Sequence, residues 1–167
     1  RGMSSAASDV YKRQDEDTLP IKNVTLSENQ KKISNEIFQL LSKKVYIPIL
    51  LDGVPGAGKT EIYFDVLKKI LINGSQALIM FPEVSLTSDF VKRIEERFGK
   101  KPDVWHSKIN ETKKSKTLRR ILSGEAKIII GARSSLFLPF KNLSIIIVDE
   151  EHDTSYKQEE NGIYHAR

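Results

Sequence analysis

The sequence reads GVPGAGKT at residues 53–60, which fits the phosphate-loop pattern G-x-x-x-x-G-K-[ST]. Glycines allow successive backbone N–H groups to curl around phosphate oxygens, and a helix that begins at Lys59 directs the positive end of its dipole towards them. In this pattern Lys59 reaches the β- and γ-phosphates of a nucleotide, and the Thr60 hydroxyl ligates Mg²⁺. An ordinary glycine turn before a helix is the alternative, because a pattern with so few fixed positions also occurs by chance.

The residues on either side of this glycine loop (residues 53–60) favour phosphate binding. Residues 45–51 form an apolar run of strand length, and residues 59–72 carry apolar side chains at helical spacing. Pro48 is awkward within the first run, because proline cannot donate to a strand ladder. A strand, a glycine turn and a helix in this order are nevertheless the context in which a phosphate loop is expected.

Strands and helices alternate along the rest of the chain. Strands are predicted at residues 76–81, 103–105, 127–130 and 144–148, and helices at about 90–98 and 110–122. Residues 127–130 and 144–148 are nearly pure apolar runs, as expected of strands that are buried on both faces. The alternation predicts an α/β fold with a mostly parallel sheet and helices on both of its faces.

Four ionisable residues, DEEH at 149–152, directly follow the last apolar run. Asp149 would hold the water shell of Mg²⁺, and Glu150 would polarise an attacking water. A surface turn is the alternative, but a strand that runs into these residues fixes them at the sheet edge where ligands bind. A zinc site built on His152 is disfavoured, because the histidine pair at i, i+4 is missing.

The chain divides into three parts. Residues 1–14 are small, polar and aperiodic and look like a translated adapter, so we exclude them from the fold. Residues 15–44 are assigned to a linker and an N-terminal helix, which opens with the capping-box pattern of Ser27 and Gln30. Residues 45–167 form the main lobe, which we expect to be truncated at its C-terminus.

Length and composition limit the class of protein. The 167 residues suffice for one domain, and there is no cysteine, which excludes disulfides and thiolate metal sites within these residues. No run approaches the ~18 apolar residues of a transmembrane helix. Nothing resembles a secretory signal, so we expect a cytoplasmic protein without a membrane partner.

The positive charge is concentrated between Lys92 and Lys127, a stretch that contains twelve Lys and Arg but only five Asp and Glu. Such asymmetry favours a face that attracts phosphate over long range. A solvated helix surface is the alternative, and the charge run alone favours that alternative.

Several segments together resemble one known family. They are GVPGAGKTE at 53–61, FPEVSLT at 81–87, GARSSLF at 131–137, DEEHDTSYKQ at 149–158 and YHAR at 164–167. They resemble the primosomal protein N′ (PriA) family, replication-restart helicases of DEAH-type superfamily 2. The resemblance implies a RecA-like P-loop NTPase lobe, the first lobe of an ATP-dependent DNA helicase that moves on single-stranded DNA.

The resemblance implies a nucleotide site for ATP and Mg²⁺. Asp149 would be the metal-side carboxylate, Glu150 the catalytic base, and His152 a link between nucleotide and DNA. Gln30 sits where related helicases contact adenine. The remaining nucleotide-site residues are Gly53, Gly56, Gly58, Lys59 and Thr60, with Thr60 on the metal.

The resemblance also implies two DNA-tracking segments. One contains Pro82, Glu83 and Thr87, and the other contains Arg133 and Ser134. Small residues, hydroxyls and an arginine suit contacts to the DNA backbone rather than to base edges. For Arg133, a phosphate contact and a salt bridge at the strand end remain equally open.

Tyr156, Lys157 and Tyr164 fall in what resembles the aromatic-rich loop of the family, which senses single-stranded DNA. Aromatic rings stack on unpaired bases, although the two tyrosines would equally serve as half-buried rings beneath the loop. For Trp105 we prefer a core role, and for His106 we expect no catalytic role.

The sequence departs from the family pattern at Pro55, Ala57 and Ala132, where Thr, Ser and Thr are usual. Pro55 removes one backbone donor from the loop. We expect this to be tolerated, because the second glycine and the Lys59-Thr60 pair are intact.

The family motor needs a second lobe whose arginine stabilises the transferring phosphate, an effect of ~10³–10⁵ in rate. We therefore predict that these 167 residues bind Mg-ATP weakly, hydrolyse it poorly and unwind nothing. The family's zinc has no cysteine ligands within these residues. Expected partners are single-stranded or forked DNA and other primosome and single-strand-binding proteins.

Three other functions compete. A branch-migration or repair translocase of the same superfamily is disfavoured by the SYKQ and YHAR segments. A P-loop phosphotransferase, with residues 92–127 as its lid, is disfavoured because DEEH is foreign to that class. A non-catalytic binding module with a vestigial phosphate loop stays open. A lobe that grips DNA phosphates should lose single-strand affinity linearly in log salt, whereas a small-molecule kinase should show little strand binding.

Overall fold

A computed structural model describes residues 24–82 and 88–149 of the chain. The helices are α1 (Glu28–Ser42), α2 (Lys59–Ile72), α3 (Ser88–Phe98) and α4 (Glu111–Ser123), with a 3₁₀ helix at Arg133–Phe137. The strands are β1 (Gln76–Met80), β2 (Asp103–Trp105), β3 (Ile128–Gly131) and β4 (Leu143–Val148). Within the described ranges, no helix has the length and apolar character needed to cross a membrane.

The four strands form one sheet in the order β2-β3-β1-β4, and every neighbouring pair is parallel. Met80 at the end of β1 pairs with Gly131 of β3 and with Val148 of β4. The three strands therefore end at the same level. The residues that follow them meet at one edge of the sheet, which is where ligands bind in parallel α/β folds.

Helices cover both faces of this sheet, as the sequence predicts. Ala77 and Ile79 of β1 pack in a cluster with residues of α2 and α3. Leu78 and Met80 point to the opposite face and pack with Ile121 of α4. The alternation follows from the period of two in a strand, and the four β1 residues named here are fully buried. The α/β architecture with a parallel sheet is thus confirmed.

Helix α1 lies outside this sandwich and packs on α2. The capping box predicted from Ser27 and Gln30 is present at its start. Ile37 packs with Ile62 and Val66 of α2 in a separate apolar cluster. The N-terminal helix is therefore attached to the helix that follows the glycine loop.

The strand predicted at residues 45–51 is wrong, because this part of the chain carries no strand. Tyr46 is 89% exposed and Leu50 is 79% exposed. Pro48 cannot donate to a ladder, and none of the four strands pairs with this segment. Within this segment, Leu51 packs against the apolar cluster between α1 and α2.

The prediction that both apolar runs are buried on both faces holds for β3 and fails for β4. Every residue of β3 is buried. In β4 the side chains of Ser144 and Ile146 are exposed, Ile146 to 44%. The reason is position, since β4 lies at the edge of the sheet formed by the described residues, and an edge strand has less of its surface covered by neighbours.

Candidate functional site

The glycine loop begins with a tight turn at Val54, Pro55, Gly56 and Ala57. The Ala57 N–H donates to the carbonyl of Val54 at 3.1 Å, and Gly56 has φ of 82°. A type II turn requires a positive φ at its third residue and commonly has proline at its second. The closing hydrogen bond does not use the nitrogen of the second residue, so Pro55 fits this turn.

The loop continues directly into helix α2 through Gly58. This residue has φ of 80° and serves as the N-cap of the 14-residue helix. A Cβ atom at this position would collide with the side-chain amide of Gln30. The positive φ is what favours glycine here, and a Cβ would in addition displace the flexible amide of Gln30. The first N–H groups of an α-helix lack helical partners, which makes such a helix end suited to bind an anion.

Lys59 folds back over the loop. Its ammonium group donates a hydrogen bond to the carbonyl oxygen of Gly53. This bond links the last part of the loop to its first residue and places a positive charge beside it. An ammonium group beside a glycine-rich loop is complementary to phosphate.

Gln30 lies against the same loop. Its Oε1 accepts a hydrogen bond from the N–H of Ser27 at 2.9 Å, and its Nε2 donates to the carbonyl of Ala57 at 3.2 Å. The structure thus brings Gln30 to the glycine loop from the preceding helix.

Asp149 follows β4 and is linked to both the sheet and α2. Its N–H donates to the carbonyl of Met80 at 3.0 Å. Its Oδ2 accepts a hydrogen bond from the hydroxyl of Tyr63 at 3.0 Å. Tyr63 and Thr60 lie one helical turn apart on α2, so the acidic residue meets the helix that begins in the glycine loop.

Tyr63 is a site residue that no sequence motif marked, because it lies among the apolar side chains of the helical pattern at residues 59–72. Burial first, and then the negative charge of Asp149, raise the pKa of Tyr63, although a hydrogen bond with the Thr60 side chain opposes this. The hydroxyl therefore stays protonated and acts as a donor. A signal was available, because a buried tyrosine usually finds a partner for its hydroxyl.

The donor set fits a phosphate that carries Mg²⁺. Thr60 and Asp149 offer a hydroxyl and a carboxylate, the oxygen ligands that Mg²⁺ prefers. In residues 24–82 and 88–149, no group of three or more His, Cys, Asp or Glu residues could hold a metal ion alone. Mg²⁺ commonly takes one or two protein oxygens and completes its shell with water and phosphate.

The DNA-tracking candidates that are described lie at the same sheet edge. Pro82 comes shortly after β1 and is buried, whereas Ser134 is exposed and Arg133 is half-buried at the start of the 3₁₀ helix after β3. The carbonyl of Gly131 accepts from the N–H of Phe81 at 3.0 Å. This bond keeps the two segments side by side beyond the last paired residues.

Other predicted residues lie outside the described residues. They are Glu83, Thr87, Glu150, His152, Tyr156, Lys157 and Tyr164. Trp105 packs against the cluster around α4, in keeping with a core role. The Nδ1 atom of His106 accepts from the N–H of Lys108 at 3.2 Å, which is a local turn contact.

Comparison with known proteins gives a consistent result. The family model for the DEAD/DEAH box helicase matches residues 27–166. A protein named replication restart protein PriA from Rickettsia felis is 52% identical over 120 residues, which cover 72% of this chain and 18% of that protein. Its namesake from Bacillus subtilis is 38% identical over 167 residues, covering 99% of this chain and 21% of that protein.

A third protein of that name, from Haemophilus influenzae, is 47% identical over 129 residues, covering 77% of this chain and 18% of that protein. The chain therefore spans about a fifth of the length of the curated relatives it matches.

Proposed function

We propose, because this chain belongs to the DEAD/DEAH box helicase family, that it is the nucleotide-binding lobe of an ATP-dependent DNA helicase that acts in replication restart. The observation that carries the proposal is the hydrogen bond between Asp149 and Tyr63, which lies one turn into the helix that begins at the glycine loop. The names of the relatives support the replication-restart role. We expect the protein to act in the cytoplasm, on single-stranded or forked DNA.

In this proposal the glycine loop binds the phosphates of ATP. The backbone N–H groups around Gly56 and Gly58 surround the phosphate oxygens, while Lys59 exchanges its bond with the Gly53 carbonyl for one with phosphate. Gln30 supports the loop from α1. The bound nucleotide would carry Mg²⁺, which neutralises phosphate charge during transfer.

The acidic segment supplies the remaining groups. Asp149 would hold the Mg²⁺ shell beside Thr60, and Glu150 would orient and deprotonate the attacking water. His152 would connect this site to DNA. The segments around Pro82 and Arg133 would contact the DNA backbone. The loop that contains Tyr156, Lys157 and Tyr164 would sense single-stranded DNA, with aromatic rings stacked on unpaired bases.

We expect the 167 residues on their own to bind Mg-ATP with little turnover and no unwinding. The reason is that superfamily 2 motors need an arginine from a second lobe to stabilise charge on the transferring phosphate. Robust DNA-stimulated hydrolysis by this chain alone would contradict the expectation.

The proposal is tested by titrating the chain with a fluorescent ATP analogue in the presence of Mg²⁺. We expect Lys59→Ala to weaken binding by about 10- to 100-fold, the cost of a charged hydrogen bond of ~1.5–3 kcal/mol. Lys68→Ala is the matched control, because Lys68 is an exposed lysine on the same helix. Equal affinity of the two variants, or no binding by the unmodified chain, would refute a nucleotide site.

A further inference from the structure

We infer that Tyr63 is a positioning residue of this site, whose hydroxyl holds the carboxylate of Asp149 in the orientation that receives Mg²⁺. The inference rests on the proposed nucleotide site and adds to it a residue that neither the phosphate-loop pattern nor the acidic segment contains. It would act through Asp149 and not by contact with the nucleotide.

The hydroxyl of Tyr63 lies between the two residues predicted to serve the metal. It donates to Asp149 Oδ2 at 3.0 Å, and Thr60 lies one turn earlier on the same helix α2. The phenol thus links the helix that begins at the glycine loop to the carboxylate after β4.

Both partners of this hydrogen bond are anchored. The Tyr63 ring is 8% exposed, belongs to the cluster of α2, α3 and β1, and meets the ring of Phe64 edge to face at 5.2 Å. The backbone of Asp149 is fixed by its bond to the carbonyl of Met80. The remaining freedom is rotation of the carboxylate, and the phenol restricts that rotation.

Restricting this rotation matters for a metal site. The hydrogen bond from Tyr63 to Oδ2 favours one orientation of the Asp149 carboxylate. Partners that hydrogen-bond a ligand orient it, and their loss typically costs 10–100-fold in metal affinity or activity. A side chain that only filled the core would need no hydroxyl, as the neighbouring Phe64, 1% exposed, illustrates.

The test is the Mg²⁺ dependence of nucleotide binding by Tyr63→Phe. In the full 167-residue chain, affinity for a fluorescent ATP analogue is measured in EDTA and then across a Mg²⁺ titration. We expect the variant to need about tenfold more Mg²⁺ for the same tightening, with its affinity in EDTA unchanged. Tyr46→Phe is the matched control, because this tyrosine is 89% exposed, and it should behave like the unmodified chain.

A second measurement reads the metal directly. Mn²⁺ replaces Mg²⁺ in the presence of ADP, and electron paramagnetic resonance counts the free ion. Tyr63→Phe should raise the Mn²⁺ dissociation constant by a similar factor. In an Asp149→Ala background, the same substitution should add nothing, because its effect passes through that carboxylate.

The outcomes separate this inference from the proposed function. If the unmodified chain binds no nucleotide, the proposed function fails and the inference fails with it. If it binds nucleotide with a clear Mg²⁺ dependence that Tyr63→Phe leaves intact, the inference is overturned and the nucleotide site stands. Equal losses in EDTA and in Mg²⁺ would also overturn it, since the hydroxyl would then support the fold and not the metal ligand.

Discussion

The side-chain amide of Gln30 donates a hydrogen bond to the carbonyl of Ala57 at 3.2 Å. Its oxygen at the same time accepts from the N–H of Ser27 at 2.9 Å. One residue therefore completes the capping box of α1 and holds the glycine loop. The helix that precedes the loop and the loop itself are coupled through this side chain.

Gln30→Ala should lower both stability and nucleotide affinity. Loss of the capping interaction costs about 1 kcal/mol of unfolding free energy, and release of the Ala57 carbonyl loosens the loop. Urea unfolding and titration with an ATP analogue measure the two effects. Gln39→Ala, an exposed glutamine on the same helix, should change the unfolding free energy by less than about 0.5 kcal/mol. Loss of stability with unaltered nucleotide affinity would show that the loop contact is irrelevant to binding.

Gln76 is a fully buried polar residue at the start of β1. Its Nε2 donates to the carbonyls of Ile121 and Ala126, at 3.1 and 2.8 Å. Its Oε1 accepts from the N–H groups of Lys141 and Asn142, both at 2.9 Å. This side chain joins the end of α4 to the turn before β4 and leaves no polar atom of its own unsatisfied.

Gln76→Leu should be strongly destabilising, because it keeps most of the volume but leaves buried N–H and C=O groups without partners. We expect a loss of about 2–4 kcal/mol in unfolding free energy, the sum of several desolvation costs. Chemical denaturation followed by circular dichroism gives the value. Gln39→Leu on the exposed face of α1 is the control for the same chemical change, and a similar small loss in both variants would contradict the bonding role of Gln76.

Local signals explain which parts of the fold were predictable. The bounds of α2 were predicted at Lys59 and Ile72, because a glycine turn and a helical apolar stripe lie side by side in the sequence. Helix α4 was likewise marked by Asn110 and Gly124, which serve as its N-cap and C-cap. Each of these signals acts over a few residues, so a single sequence contains them.

Pairing between distant segments explains the errors. Residues 45–51 have the composition of a strand, but composition does not supply a partner, and the described sheet gives them none. The burial of β4 was predicted wrongly for the same reason. An apolar run does not reveal whether its strand is central or at an edge, and Ile146 is exposed. Strand order is a property of the whole sheet.

The residues of the candidate site likewise fall into those that local patterns predict and those that they do not. Lys59 and Asp149 were found because each belongs to a short pattern with a known chemical purpose. Tyr63 of the site and the structural residue Gln76 were both missed, because their partners lie far away in the sequence. Both are polar residues in apolar surroundings, and that conflict was the one local sign of their bonding roles.

Asp65 makes the packing of α1 on α2 dependent on pH. Its carboxylate accepts from the hydroxyl of Ser34 at 2.6 Å and pairs with Lys69 at 2.8 Å. Partial burial favours the neutral acid, but hydrogen bonds from Lys69 and Ser34 outweigh it and lower the pKa of Asp65. The folded state thus binds this proton less tightly than the unfolded state, whose aspartate titrates near pH ~3.9.

The resulting stabilisation is complete above about pH 4–5 and is lost as the pH falls through the lowered pKa of Asp65. Asp65→Asn should therefore cost about 1 kcal/mol of unfolding free energy at pH 7, and the difference from the unmodified chain should shrink below pH 4. Urea unfolding at a series of pH values tests this. Glu36→Gln removes one carboxylate from the exposed face of α1, and the same pH profile for that variant would refute the assignment to Asp65.

Arg133 begins the 3₁₀ helix that follows β3, at the sheet edge where Asp149 also lies. If this edge follows a DNA backbone, Arg133→Ala should weaken binding of a single-stranded oligonucleotide to a similar extent for every sequence. It should also reduce the slope of log affinity against log salt by about 0.7, the value for one phosphate contact on a single strand. Arg119, an exposed arginine on α4, acts at most through long-range attraction, so Arg119→Ala should leave that slope nearly unchanged. Equal slopes in the two variants would assign single-strand affinity to the general positive charge of residues 92–127, and a salt bridge at the strand end would then be the better account of Arg133.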